Sequence, residues 1–236
     1  MPLHKAQDLV PRVVRGLPAP QATPQKTPMP RMVSEPPAPW DKRFRDFQTL
    51  GEKQLCEALA AATQFVDAFR ADPYGGGYIL TLSGANGCGK TFLAKCTLAE
   101  MGWNFNGTVN APWREAGGAI MDRSCKFRDW TKVADRMLNG NWQACETMND
   151  TLVVCLDDIG ANYDKSGAVT AKLNSFLRSR GKRWTIVTSN FTIAQMRDQL
   201  DARIASYLIR DKNVAVNLTG VIYFALRKLK PKDKRS

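Results

Sequence analysis

The sequence predicts an α/β fold: a parallel β-sheet flanked by helices. Three observations predict it. Short apolar runs alternate with helical periods along the chain. A glycine-rich loop sits between the first of these runs and its helix, and two adjacent carboxylates end a later run. In such sheets ligands gather at the carboxyl ends of the strands. The loop, Asp157, Asp158 and Asn190 all fall at such ends, so residues distant in sequence are expected to converge.

Along the chain, residues 1–39 hold ten of the thirteen prolines, a density that opposes helix and sheet and predicts an extended tether. Within it Leu3, Leu9, Val10, Val13 and Val14 could form a short apolar face for docking a partner. Three aromatics, Trp40, Phe44 and Phe47, end the tether, either to anchor the next helix or to wall a base pocket. A helix is expected from about Glu52 to Arg70, with Leu55, Leu59, Ala62, Phe65, Val66 and Phe69 on one side. A turn over Asp72–Gly77 leads to the first strand, Tyr78–Ser83, and the helix after the glycine loop runs to Met101, before Gly102.

Residues 102–117 show no clear period. Gly118–Met121 reads as a weak strand, and Phe127–Trp130 opens a helix to about Leu138, stopped by Asn139-Gly140. Thr151–Leu156 is the clearest strand and runs into Asp157-Asp158-Ile159-Gly160. A helix from Ala168 to Ser179, a basic run over Arg178–Arg183 and a strand Trp184–Thr188 follow. Thr192 caps a helix starting at Ile193, another covers Asp201 to Arg210, and Val214–Leu218 is a last strand. The expected division is a tail over 1–39, a domain over 40–226 and a basic tail over 227–236.

At 236 residues and 44% hydrophobic, the chain can bury one full core. Its net charge of +12 favours a polyanionic partner such as nucleic acid, although the same excess would serve solubility. The six cysteines include no C-x-x-C pair and the single histidine is His4, which argues against a zinc site and against histidine catalysis. Cysteines within apparent core elements, no apolar run long enough to span a membrane and no apolar signal core point to a cytoplasmic protein.

Gly84-Ala85-Asn86-Gly87-Cys88-Gly89-Lys90-Thr91 fits the phosphate-loop spacing without mismatch and, with Phe92, forms the expected nucleotide-binding set. Glycines let successive N–H groups face one concavity, and the following helix adds positive potential at its N-terminus. Lys90 would reach the β- and γ-phosphates of ATP, and Thr91 would ligate Mg²⁺. Asp157 would hold the same ion from the neighbouring strand, while Asp158 polarises the attacking water and Asn190 bonds the γ-phosphate or that water. Arg203 and Arg210 lie seven residues apart, which on one helix is a shared face; either could supply charge to a neighbouring subunit's phosphate, or both could be solvated or bind DNA.

Taken together, Gly84–Thr91, Asp157–Gly160, Thr188-Ser189-Asn190 and Asp201–Ser206 resemble, in order and spacing, the DnaC-like AAA+ ATPases, the helicase loaders of bacteria and phages. IstB transposition ATPases and the initiator DnaA are close to that family. The likeness covers roughly Phe44 to Arg227. It implies an AAA+ P-loop fold, Mg²⁺-dependent ATP hydrolysis, self-association with ATP on single-stranded DNA, and delivery of a DnaB-type replicative helicase. Thr188-Ser189-Asn190 looks like sensor 1, and the segment from Asp201 looks like the box carrying the arginine finger. Tyr207 stands where the family usually has that arginine, so Arg203 or Arg210 would substitute, and no lid domain is evident after Leu218.

Other readings share part of this pattern. An IstB-like transposition ATPase would assemble on duplex DNA and recruit a transposase. A non-catalytic adaptor would use nucleotide only to fold a DNA-binding surface. A small-molecule kinase would need an acceptor pocket that the sequence does not display.

Overall fold

The computed structural model describes residues 40–102, 125–146, 148–149, 151–161, 164–181, 183–219 and 222–224. Five strands, β1 (Ile79–Ser83), β2 (Cys125–Asp129), β3 (Val153–Ile159), β4 (Trp184–Ser189) and β5 (Val214–Asn217), form one sheet in the order β2-β3-β4-β1-β5. Every pairing is parallel. β1 and β4 are buried along their whole length, which is why both read as unbroken apolar or β-branched runs rather than as alternating ones.

Helices α1 (Lys53–Ala71) and α2 (Lys90–Glu100) cover one face. Leu55, Ala58, Ala62, Phe65, Val66 and Phe69 of α1 recur at helical spacing and bury against that face, each large side chain contributing about 1.5–3 kcal/mol. Trp184 of β4 is the hub, with Phe65, Phe69 and Tyr78 around it at centroid distances of 5.0–5.5 Å. The opposite face is packed by α3 (Trp130–Leu138), α5 (Ala168–Ser179) and α7 (Ala202–Leu208), through Val133, Met137, Leu173, Phe176, Ile204 and Leu208. Among the described residues the remaining α-helices are the short α4 (Gln143–Glu146) and α6 (Ile193–Gln199).

Two expectations change. Phe127–Asp129 are strand, not the start of a helix. Cys125 and Phe127 alternate with Lys126 and Arg128, the period of an edge strand, and the helix begins only at Trp130, where Asp129 Oδ1 accepts the Lys132 N–H as N-cap. Likewise α7 ends at Leu208, so Arg210 is not on it and shares no helix face with Arg203. The strand expected at 118–121 lies outside the described residues. Among the described residues no helix is long and apolar enough to cross a membrane.

Candidate active site

β1 ends at Ser83, and the chain turns through Gly84 to Gly89 before α2 starts at Lys90. Gly84 has φ +138°, and a Cβ there would lie 2.6 Å from the Leu218 carbonyl oxygen, so only glycine allows this loop to leave β1 beside the segment after β5. Gly89 has φ +95° and faces the Tyr223 ring, 3.0 Å from where its Cβ would be. Tyr223 stacks on Phe47, with centroids 4.9 Å apart and planes 7° from parallel, and its Oη accepts the Gln48 N–H at 3.1 Å. The base of the phosphate loop is thus braced by residues from both sides of the domain in sequence.

Lys90, 7% exposed, aims Nζ back along the loop, donating to the carbonyls of Gly84 at 2.9 Å and Ala85 at 2.8 Å. It also donates to Asn190 Oδ1 at 3.0 Å and lies 3.6 Å from the buried Cys88 Sγ. Asn190 Nδ2 in turn donates to Asp158 Oδ1 at 2.7 Å, so a lysine from one strand end reaches a carboxylate from another through one amide. Beside it, the Thr91 hydroxyl donates to Asp157, 2.9 Å from Oδ1 and 3.1 Å from Oδ2.

Adjacent residues of a regular strand point to opposite faces, yet Asp157 and Asp158 both line this cavity. The cause is an irregularity. Leu156 pairs with Val187 but Ile159 pairs with Ser189, so β3 carries one extra residue, and Asp158 takes φ +64°. Thr188 secures the bulge: its hydroxyl donates to Asp157 Oδ1 at 2.6 Å and accepts the Asp158 N–H at 2.8 Å. Burial, and next the Asp157 charge, raise the Asp158 pKa above the ordinary carboxylate value, with Lys90 opposing.

The cavity has a volume of about 430 Å³. Asn86, Gly87, Gly89, Lys90, Thr91 and Phe92 line it on one side, Asp157, Asp158, Thr188 and Asn190 on another. Trp40, Lys95 and Phe224 complete the wall; Trp40 meets Phe92 edge-on at 5.4 Å. Thr188, Tyr223 and Phe224 are absent from the sequence-based set. The signal for Thr188 was present, since it precedes Ser189-Asn190 at the end of β4; nothing in the spacing marks the aromatics after β5.

The two arginines lie apart from this cavity. Arg203 is clamped by the N-cap residue of its own helix, with Nη2 2.8 Å from Asp201 Oδ2 and Nε 3.1 Å from Oδ1. Arg210 lies at the amino end of the sheet, in a recess with Tyr78 and Ile79. The basic run before β4 also divides. Arg180 is 1% exposed, and its guanidinium donates to Thr185 Oγ1 and to the carbonyls of Met148, Asn149, Thr151, Leu152 and Trp184. Burial, and secondarily Arg183, hold its pKa down to about 9, so it stays charged at neutral pH. It ties the loop before β3 to β4 and is unavailable to a phosphate.

A parallel sheet with a lysine-bearing phosphate loop facing two carboxylates and an asparagine defines a P-loop nucleotide hydrolase. The chain belongs to the ATPase family associated with various cellular activities (AAA), whose model matches residues 80–209, and is an ATPase of that family. In structure it is similar to the DnaC helicase loader, with TM-score 0.58, 20% identity, and coverage of 75% of this chain and 97% of that one. It is equally similar to DnaI, with TM-score 0.58, 21% identity and coverage of 78% and 90%. AMPPCP-bound DnaA from Aquifex aeolicus follows, with TM-score 0.54, 13% identity and coverage of 79% and 53%. At these identities the likeness speaks to the fold. No curated protein matches the chain significantly.

Proposed function

We propose that the chain is a helicase loader: an ATPase that self-associates with ATP, binds single-stranded DNA and delivers a hexameric replicative helicase. The observation that carries the catalytic part is the meeting of Lys90 and Thr91 with Asp157, Asp158 and Asn190 around one cavity. Main-chain amides of Gly84–Thr91 hold the triphosphate, and Lys90 neutralises its β- and γ-oxygens. Asn190 orients the water and Asp158 polarises it. The water oxygen bonds to the γ-phosphorus while the bond to the β,γ-bridging oxygen breaks; ADP leaves with that electron pair, and the water proton passes to Asp158. The leaving charge is met by an arginine from a second copy.

Thr91 and Asp157 offer hydroxyl and carboxylate oxygens side by side, a hard donor pair suited to Mg²⁺. Among the described residues no cluster of three or more His, Cys, Asp or Glu could hold a metal alone, so phosphate oxygens and water would complete the shell. When bound, the ion supplies charge stabilisation at the β- and γ-phosphates.

The fold likeness to DnaC and DnaI and the net charge of +12 support the loader reading. Steady-state ATP hydrolysis with single-stranded and duplex DNA, together with native mass spectrometry against a purified DnaB-type helicase, tests it. Stimulation by single strands and a stable helicase complex are expected. Preference for duplex with no helicase complex would instead indicate the transposition ATPase.

A further inference from the structure

The carboxyl end of β4 runs Thr188-Ser189-Asn190, and each side chain spans a different gap. Asn190 joins Lys90 to Asp158. Thr188 and Ser189, 1% and 0% exposed, both reach across to β3 at its bulge. Asp157 and Asp158 stand there between the pairs Leu156–Val187 and Ile159–Ser189, opposite Thr188 alone. Two residues thus face one, and the main-chain ladder cannot serve both.

Two hydroxyls do so in its place. On the near side Thr188 accepts the Asp158 N–H at 2.8 Å and donates to Asp157 Oδ1 at 2.6 Å. On the far side Ser189 donates to the Ile159 carbonyl at 2.7 Å and accepts the Phe191 N–H at 3.1 Å. β4 is in turn tied to the phosphate loop. Leu82 and Ser83 of β1 pair with Thr188 and Ser189, and the Ser189 carbonyl accepts the Gly84 N–H at 3.1 Å. The same two residues therefore locate the loop on one side and the bulge on the other. Asp158, at φ +64°, holds a backbone conformation that a side-chain-bearing residue keeps only where its surroundings impose it. In a regular strand Asp157 and Asp158 would face opposite sides of the sheet.

We propose that Thr188 and Ser189 are positioning residues for ATP hydrolysis: their hydroxyls hold β3 in its bulged register and so aim the Asp158 carboxylate into the cavity beside Lys90. The proposal rests on the site assignment above and adds to it what places Asp158 there. Neither hydroxyl exchanges a proton with ATP or water. Their effect falls on the chemical step, since the main-chain amides that hold the triphosphate belong to the loop and not to β3.

The test uses the full chain, with ATP hydrolysis, fluorescent ATP-analogue binding and amide exchange read separately. Thr188→Val, which keeps the shape and removes the hydroxyl, is expected to lower kcat about 30-fold, with KM and analogue affinity changed less than about threefold. Thr188→Ser, which restores the hydroxyl, should recover most of that loss. Ser189→Ala removes the tie on the far side and is expected to lower kcat about fivefold. In nucleotide-free Thr188→Val protein the Asp158 amide should exchange about tenfold faster, while that of Val154 is unchanged. Parental kcat or an unchanged Asp158 exchange rate in Thr188→Val overturns the proposal. So does a failure of Thr188→Ser to recover kcat, or a loss of analogue affinity as large as the loss of kcat. Should Thr188→Val not fold, Thr188→Cys, a weak hydrogen-bonding group of similar size, is held to the same outcomes. Lys90→Ala protein that still hydrolyses ATP would instead show the ATPase site to be misassigned, a separate failure.

Discussion

The two ends of the sheet treat charge in opposite ways. At the carboxyl end Lys90, Asp157 and Asp158 of the phosphate-loop cavity are held by hydrogen bonds: Lys90 through Asn190 to Asp158, and Thr91 and Thr188 to Asp157. At the amino end one arginine, Arg180, is sealed among neutral carbonyls, while Arg178, Arg210 and Lys212 border an open recess. Two residues of the basic run near β4, Arg178 and Arg180, thus stand in different surroundings. Position in a charge run says little about function; burial and partners say nearly all of it.

The largest effect expected is at the carboxyl end. Lys90→Ala or Asp158→Asn should lower kcat for ATP by about 1000-fold, because each removes charge or water activation needed in the transition state. Asp158→Asn should leave the melting temperature unchanged or raise it, since burial already disfavours the Asp158 charge. A variant that unfolds instead would mean this carboxylate is structural.

At the amino end Arg180→Leu should cost about 3–5 kcal/mol by denaturant unfolding, because several buried carbonyls lose their donor together. Arg180→Lys should rescue only part, having three donors instead of a five-donor fork. If both variants are as stable as the parent, the contrast between the two ends is wrong. Gly84→Ala tests the loop backbone: contact with Leu218 and a positive φ should cost about 2–3 kcal/mol and weaken nucleotide binding.

Smaller effects follow at the helix start. Asp201 caps α7, and its pKa is lowered, chiefly by the hydrogen bond from the Arg203 side chain. A depressed carboxylate stabilises the fold above its unfolded pKa and loses that contribution as pH falls through the folded value. Asp201→Ala should therefore cost about 1 kcal/mol at neutral pH and progressively less below the ordinary carboxylate range. Least of all, thiol labelling at pH 8 should modify exposed Cys56 first. Burial pushes Cys145 up to about 11 and Cys96 up to about 12, and holds the Cys155 thiol well above its ordinary value, so these should stay protected until the chain unfolds.

The parallel sheet and the phosphate loop were legible because central strands buried on both faces leave unbroken apolar runs, and the loop needs a fixed glycine spacing. Phe127–Asp129 read as a helix start rather than as the end of β2 because Lys126 and Arg128 interrupt the strand's apolar residues, as edge position permits. The convergence of Asp157 with Thr91 followed from topology, whereas the bulge that turns Asp158 into the same cavity depends on register against β4 and leaves no local mark. The inward turn of Arg180 was equally invisible: its acceptors are main-chain oxygens, which every sequence has.

The stack of Tyr223 on Phe47 beneath Gly89 has a consequence for where the working unit ends. Among the described residues the last strand stops at Asn217, and a chain trimmed there would keep the pairings of all five described strands. It would nonetheless lose the ring on which the glycine loop is seated. The proposed nucleotide-binding unit is therefore expected to need an aromatic six residues past the sheet, and a truncation planned from strands alone is expected to bind an ATP analogue more weakly.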